Sequence, residues 1–131
     1  MNTKEINQKI TFENTDPHSV YELLMDSKKH SDFTGEPADI SREVDGKCNA
    51  YGDWIEAINV ELIPDQKIVQ KWRGGDWSDD HYSVATFEFE SLGNDTVLTF
   101  TQAEVPEENH DDISQGWHDH YWDKMKSAIK G

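Results

Sequence analysis

Between Trp54 and Gln102 the chain alternates in four successive runs with a period of two. That period places every second side chain on one face of an extended strand. The runs are Trp54, Glu56, Ile58, Val60, Leu62; then Ile68, Gln70, Trp72; then His81, Ser83, Ala85, Phe87, Phe89; and finally Thr96, Leu98, Phe100, Gln102. With these faces aligned, Glu56, Gln70, His81, Ser83 and Gln102 enter a space walled by Trp54, Trp72, Phe87, Phe89, Leu98 and Phe100. A few convergent polar groups in an aromatic surround predict a ligand cavity.

The rest of the chain supplies helices for such a sheet. A first strand is expected over Ile6 to Phe12. Asp16 then offers an N-cap and Pro17 a first helical residue, with Val20, Leu23 and Leu24 at helical spacing. A second short helix or turn, Ser27 to Thr34, ends at Gly35 and Pro37. From Ala38 onward Asp45-Gly46, Gly52-Asp53, Pro64-Asp65, Gly74-Gly75 and Gly93-Asn94 divide six candidate strands, an antiparallel meander. After an acidic loop from Glu104 to Asp111, Asp112 and Gln115 resemble a capping box, and Ile113, Trp117, Tyr121, Met125 and Ala128 form a helical stripe. The predicted architecture is α+β: a curved antiparallel sheet wrapped around a long C-terminal helix, with two short helices after the first strand, in one domain spanning 1–131.

Twelve basic against twenty-seven acidic residues give a formal net charge of −15, which repels phosphate backbones and anionic lipids. No nucleic-acid or membrane partner is expected. The single Cys48 cannot form an internal disulfide, and Met1 to Ile10 lacks the apolar run of a signal peptide, so a cytoplasmic location is expected. Five Trp, four Tyr and five Phe separate the chain from a disordered acidic tail.

Several separated strings carry a family resemblance. Tyr51-Gly52-Asp53-Trp54-Ile55, Glu61-Leu62-Ile63-Pro64, Ile68-Val69-Gln70-Lys71-Trp72-Arg73 and Gln115-Gly116-Trp117-His118-Asp119-His120-Tyr121-Trp122 resemble the C-terminal domain of the activator of heat-shock protein 90 ATPase family. Asp16-Pro17 before Val20-Tyr21-Glu22-Leu23, and Phe33-Thr34-Gly35 with Pro37-Ala38, fit the same pattern, which runs from about Ile6 to Lys130. The resemblance implies a helix-grip fold shared with START-like lipid carriers, the birch-pollen-allergen fold and polyketide cyclases. It also implies a heat-shock protein 90-type chaperone as a partner. The eukaryotic activator carries a separate N-terminal domain that makes the main chaperone contact, for which 131 residues leave no room, so weak stimulation of the chaperone is expected from this domain alone. Where many relatives have two glycines and an aromatic, this chain has Asp45-Gly46-Lys47-Cys48.

Glu56 is the sharpest site candidate, because an inward carboxylate needs a partner or loses its charge. A bulge near Gly52 would instead turn it to solvent. Gln70 and Gln102 serve either as ligand contacts or as satisfied core amides. Trp117, Tyr121 and Trp122 complete the predicted cavity, with Trp117 and Tyr121 also explained by core packing. His118 and His120 lie two positions apart on a helix, and His110 sits in a solvated acidic stretch, so no metal and no cofactor are expected. His81 with Glu56 could form an acid-base pair, yet neither Ser83 nor Cys48 has the setting of a nucleophile. Outward Lys67, Lys71 and Arg73 form a candidate partner surface, against cross-strand pairing with Glu61, Glu88 and Glu90. The reading favoured is a non-enzymatic domain holding a small apolar or aromatic ligand, with a chaperone-associated surface module and an enzyme as alternatives.

Overall fold

A computed structural model describes residues 2–77 and 81–130 of the chain. Strand β1 (Thr3–Phe12) is followed by helices α1 (Pro17–Met25) and α2 (Ser27–Thr34), then by β2 (Asp39–Ile40), β3 (Lys47–Ala50), β4 (Ile55–Ile63), β5 (Lys67–Gly74), β6 (Ser83–Leu92) and β7 (Asp95–Pro106). The strands form one antiparallel sheet in the order β1-β7-β6-β5-β4-β3-β2. The six strands from β2 onward are the expected meander, and β1 closes back onto the last of them.

Both short helices start where the sequence places them. The Asp16 carboxylate accepts the Ser19 N–H at 2.8 Å and Asp26 accepts that of Lys29 at 2.9 Å, each satisfying an otherwise orphaned donor of a first turn. Helix α2 ends where Gly35 adopts φ 77, the left-handed conformation that stops a helix at least cost when no Cβ is present.

The C-terminal helix differs from expectation at its start and in its middle. Strand β7 runs through to Pro106, and a single 3-10 turn (Glu107–Asn109) leads directly into α3 (His110–Trp117). Asp112 therefore lies inside the first turn rather than capping it, and no side chain caps this end. A π-helical turn (His118–Trp122) then joins α3 to α4 (Asp123–Lys130). A π turn holds an extra residue, so the consecutive residues Tyr121 and Trp122 both face the sheet, and the stripe beyond shifts by one. Met125 is buried as expected, but the next position facing inward is the half-buried Ile129, while Ala128 is exposed.

Strand β4 also departs from expectation. Its buried residues are Ile55, Ala57 and Asn59, and Glu56 and Val60 face solvent. The register with β5 slips between Asn59 and Glu61, which returns Leu62 to the inner side. Trp54 precedes the strand and is 44% exposed. The apolar count misleads because Ile55 and Ala57 alternate with Ile58 and Val60, so both faces of the strand look hydrophobic.

The core between sheet and helix is filled by rings. Trp117 packs on Phe100 (centroids 4.5 Å), Tyr121 (4.8 Å), Trp122 (5.3 Å, stacked) and Trp72 (5.5 Å), and Phe87 lies edge-on to Trp117 at 5.8 Å. At 3% exposure, Trp117 is the hub of this cluster. Trp117→Ala is expected to destabilise the domain by about 3–5 kcal/mol in denaturant titration, as truncation of a large buried aromatic does.

A buried hydrogen-bonded pair ties α2 to the π turn. His30 Nδ1 faces the Leu24 carbonyl at 3.0 Å and so carries the proton, which leaves Nε2 to accept the Tyr121 O–H at 2.9 Å. Burial pushes His30 below its ordinary 6.5, partly opposed by the Leu24 hydrogen bond. Because the unfolded chain takes up this proton more readily, stability should be intact above pH 6.5 and fall as pH drops below it, down to the depressed folded value. His18, raised by its Asp65 partner, acts in the opposite sense but is exposed and weakly coupled. Urea midpoints measured between about pH 7 and pH 5 should fall with acidity, and His30→Asn should flatten that slope.

Candidate functional site

The residues singled out as a cavity lining separate into four groups. Ser83, Gln102 and Trp117 form a buried relay: the Trp117 indole N–H donates to Gln102 Oε1 at 2.8 Å, Gln102 Nε2 donates to Ser83 Oγ at 2.8 Å, and Ser83 O–H donates to the Trp72 carbonyl at 2.8 Å. Every member is used by protein, so this polar line stitches α3 to β7, β6 and β5. Trp122 is likewise engaged, donating to Gln8 Oε1 at 2.6 Å while Gln8 Nε2 reaches the Ser114 carbonyl. With Phe87 and Phe100 it belongs to the packed centre.

Gln70 joins a network whose other members the alternation does not mark. Its Nε2 donates to Asn59 Oδ1 at 3.0 Å, and Asn59 Nδ2 donates to the carbonyls of Ser41 and Glu43 at 2.8 and 2.9 Å. The Cys48 thiol reaches Asn59 Oδ1 at 3.6 Å, and burial raises its pKa, which keeps it protonated. Asn59 fixes the otherwise irregular segment before β3 against the sheet. Beside this network lies a small pocket of about 30 Å³, room for roughly one water.

Two candidates leave the inner face altogether. Glu56 is outward and pairs with Arg73 at 3.7 Å. His81 lies outside β6, half-buried, and its Nε2–H donates to the Glu104 carbonyl at 2.6 Å, so it does not meet Glu56. The outward basic stripe is also not a stripe. Lys67 pairs with Glu61 at 3.2 Å, and Arg73 is 8% exposed because the chain after β5 folds back and brings the Trp77 carbonyl within 2.7 Å of its guanidinium. Lys71 alone of the three is exposed.

The space that remains open lies at one end of the helix-sheet sandwich. It is a cleft of about 400 Å³ between the Tyr51–Ile55 segment, the end of β5 and the inner face of α3 and the π turn. Trp54, Trp72, Trp117 and Tyr121 of the predicted set wall it, joined by Tyr51, Ile55, Ile113 and Gly116, while Asp76, Asn109, Asp112 and His120 stand around them. Local backbone explains its shape. Tyr51 holds φ 51, an uncommon conformation for a bulky residue, and its O–H donates to the His120 carbonyl at 2.7 Å, which binds the β3–β4 turn to the π turn. Burial pushes the Tyr51 phenol up to about 12 and that of Tyr121 well above its ordinary value, so both rings stay neutral.

Gly74 and Gly75 have a steric role here. A Cβ on Gly75 would stand 2.8 Å from Trp54 Cδ1, and one on Gly74 would stand 2.8 Å from Trp54 Cη2. The indole therefore lies flat along this glycine pair and forms one wall of the cleft, edge-on to Trp72 at 6.4 Å. The period-two pattern marked Trp54 for the wrong reason, and the signal for its true place was the double glycine.

An antiparallel sheet gripping a C-terminal helix, with two short helices after the first strand and a cleft where sheet and helix part, defines a helix-grip protein. The chain belongs to the family described as Activator of Hsp90 ATPase homolog 1-like protein, whose model matches residues 14–130. It is 27% identical over 115 residues to the human activator of 90 kDa heat shock protein ATPase homolog 1, covering 88% of this chain and 34% of that protein. With the Dictyostelium discoideum homolog it shares 30% identity over 128 residues, 97% of this chain and 33% of the other. It thus spans about a third of the length of these relatives. An HSP90 activator from Plasmodium falciparum superposes with a TM-score of 0.86 at 24% identity, over 95% of this chain and 96% of that one. The Aha1 dimer from Colwellia psychrerythraea gives 0.79 at 16%, over 95% and 96%. At such identities these structures share the fold.

Gly75→Ala should displace the Trp54 indole, visible as a shift in tryptophan emission and in its indole N–H resonance, while stability changes by less than about 1 kcal/mol because Trp54 lies at the surface.

Proposed function

We propose that the chain is a non-enzymatic binding domain whose end cleft takes a small apolar or aromatic ligand. The observation that carries this reading is the cleft itself: about 400 Å³ walled by indoles, phenols and isoleucines. Clefts of a few hundred Å³ with mostly apolar walls are the usual form of small-molecule sites. The site is smaller and nearer the surface than a cavity through the whole sandwich, because the relay and the ring cluster occupy the centre.

A second reading is favoured by the family match over residues 14–130: the domain works beside a heat-shock protein 90-type chaperone. The curated relatives are named as activators of that chaperone's ATPase. Of the three basic residues once candidates for its docking, Lys67 and Arg73 are engaged within the sheet, so an electrostatic contact through that stripe has little support.

Native mass spectrometry of freshly purified protein, followed by titration with the uncharged fluorophore N-phenylnaphthylamine, tests the first reading. Saturable one-to-one binding is expected. It should be lost in Gly116→Leu, since the space at Gly116 is bounded only by His120 Cδ2 at 3.7 Å and a larger side chain there would enter the cleft. Absence of saturable binding, together with a measurable effect on the chaperone's ATPase, would favour the second.

A further inference from the structure

We propose that the cleft selects organic cations, small aromatic or apolar molecules bearing an ammonium group, over neutral and anionic molecules of the same shape. The inference rests on the cleft being a ligand site and adds the charge of its ligand.

The aromatic walls and the rim carboxylates agree on that charge, His120 being the one basic side chain among the described lining residues. Trp54, Trp72, Trp117, Tyr51 and Tyr121 present five aromatic rings to one space, and the π face of such rings is the negative end of their quadrupole. Both phenols are held in the neutral, ring-donating form. Asp76 and Asp112 are both among the residues lining the same space, one after β5 and one on α3, and both are exposed. Neither lysine nor arginine is among the described residues lining it. Arg73, next to Trp72 in the chain, has its guanidinium directed to Glu56 and the Trp77 carbonyl.

The surrounding field points the same way. A net charge of −15 raises the local concentration of cations and opposes the entry of a carboxylate or sulfonate. A fatty-acid-like ligand would bring its head group against Asp76 and Asp112. An ammonium on an apolar stem leaves the stem on Ile55, Ile113 and the indoles, and its charge between the rings and the rim carboxylates.

Three compounds of nearly equal shape separate the possibilities: phenethylammonium, phenethyl alcohol and phenylacetate, titrated against the full chain at low salt with the indole N–H resonances as readout. The expected order is cation first, by about five- to tenfold over the alcohol, with the anion weakest. The double variant Asp76→Asn, Asp112→Asn should weaken the cation several-fold and leave the alcohol unchanged, and Gly116→Leu should abolish both. Equal affinity for cation and alcohol would overturn charge selection while leaving the cleft as a ligand site. Binding of none of the three would remove the site itself. Cation binding that survives Gly116→Leu would mean attraction to the acidic surface elsewhere and would also overturn the proposal.

Discussion

The hydrogen bond from the Trp117 indole to Gln102 is the contact on which the rest of the structure depends. Gln102 is fully buried at the centre of β7, where an unsatisfied amide would cost roughly 1–3 kcal/mol. It is satisfied only when α3 brings Trp117 to it and β6 brings Ser83. The relay ends on the Trp72 carbonyl within the sheet, so a shift of the helix along the sheet would break the Trp117–Gln102 bond and leave the buried Gln102 oxygen unpaired. A hydrophobic interface tolerates sliding, whereas a polar line through it admits one register. The helix is thereby fixed with Trp117 beside Trp72, which makes these two rings a common wall of the end cleft.

The π turn completes that fixation. An uninterrupted α-helix cannot turn two consecutive large residues squarely onto one sheet, but the wider turn over His118–Trp122 does. Tyr121 then reaches His30 on α2 while Trp122 reaches Gln8 on β1, so the helix is held from both edges of the sandwich. The same turn offers the His120 carbonyl to Tyr51. The irregularity is therefore what links the centre of the fold to the segment that borders the cleft.

Much of this could be seen in the sequence, and the failures have definable causes. Asp16-Pro17, the Gly35 stop and the five turn pairs act over a few residues, and they delimit the elements as expected. Strands β5, β6 and β7 keep the expected inner faces: Ile68, Gln70 and Trp72, then Ser83, Ala85, Phe87 and Phe89, then Thr96, Leu98, Phe100 and Gln102 are all buried. Strand β4 is different: its inner face consists of Ile55, Ala57 and Asn59, two of which carry little hydrophobic signal, and the slip after Asn59 exchanges the faces midway. The mistaken phase put Glu56 inside and Trp54 on a strand. The π turn has no local signature either, since it arises from tertiary demands on Tyr121 and Trp122.

The site follows a rule that alternation alone cannot reveal. Ser83, Gln70 and Gln102 stand out as polar residues on apolar faces, and each turns out to be engaged by neighbouring protein groups, with little capacity left for a ligand. Buried polar groups in a close-packed interior are paired with protein or ordered water, and these three are paired with protein. The proposed recognition then falls to groups at the boundary, which water can satisfy in the absence of a ligand. In this chain the boundary is Tyr51, Trp54, Gly75, Asp76, Asp112 and Gly116, drawn from two turns and the first segment of the last helix. Those turns carry an unusual φ at Tyr51 and a side-chain-free pair at Gly74 and Gly75 against which the Trp54 indole lies. The inward polar residues fix the fold, and the glycines and carboxylates at its end shape the cleft proposed as the ligand site.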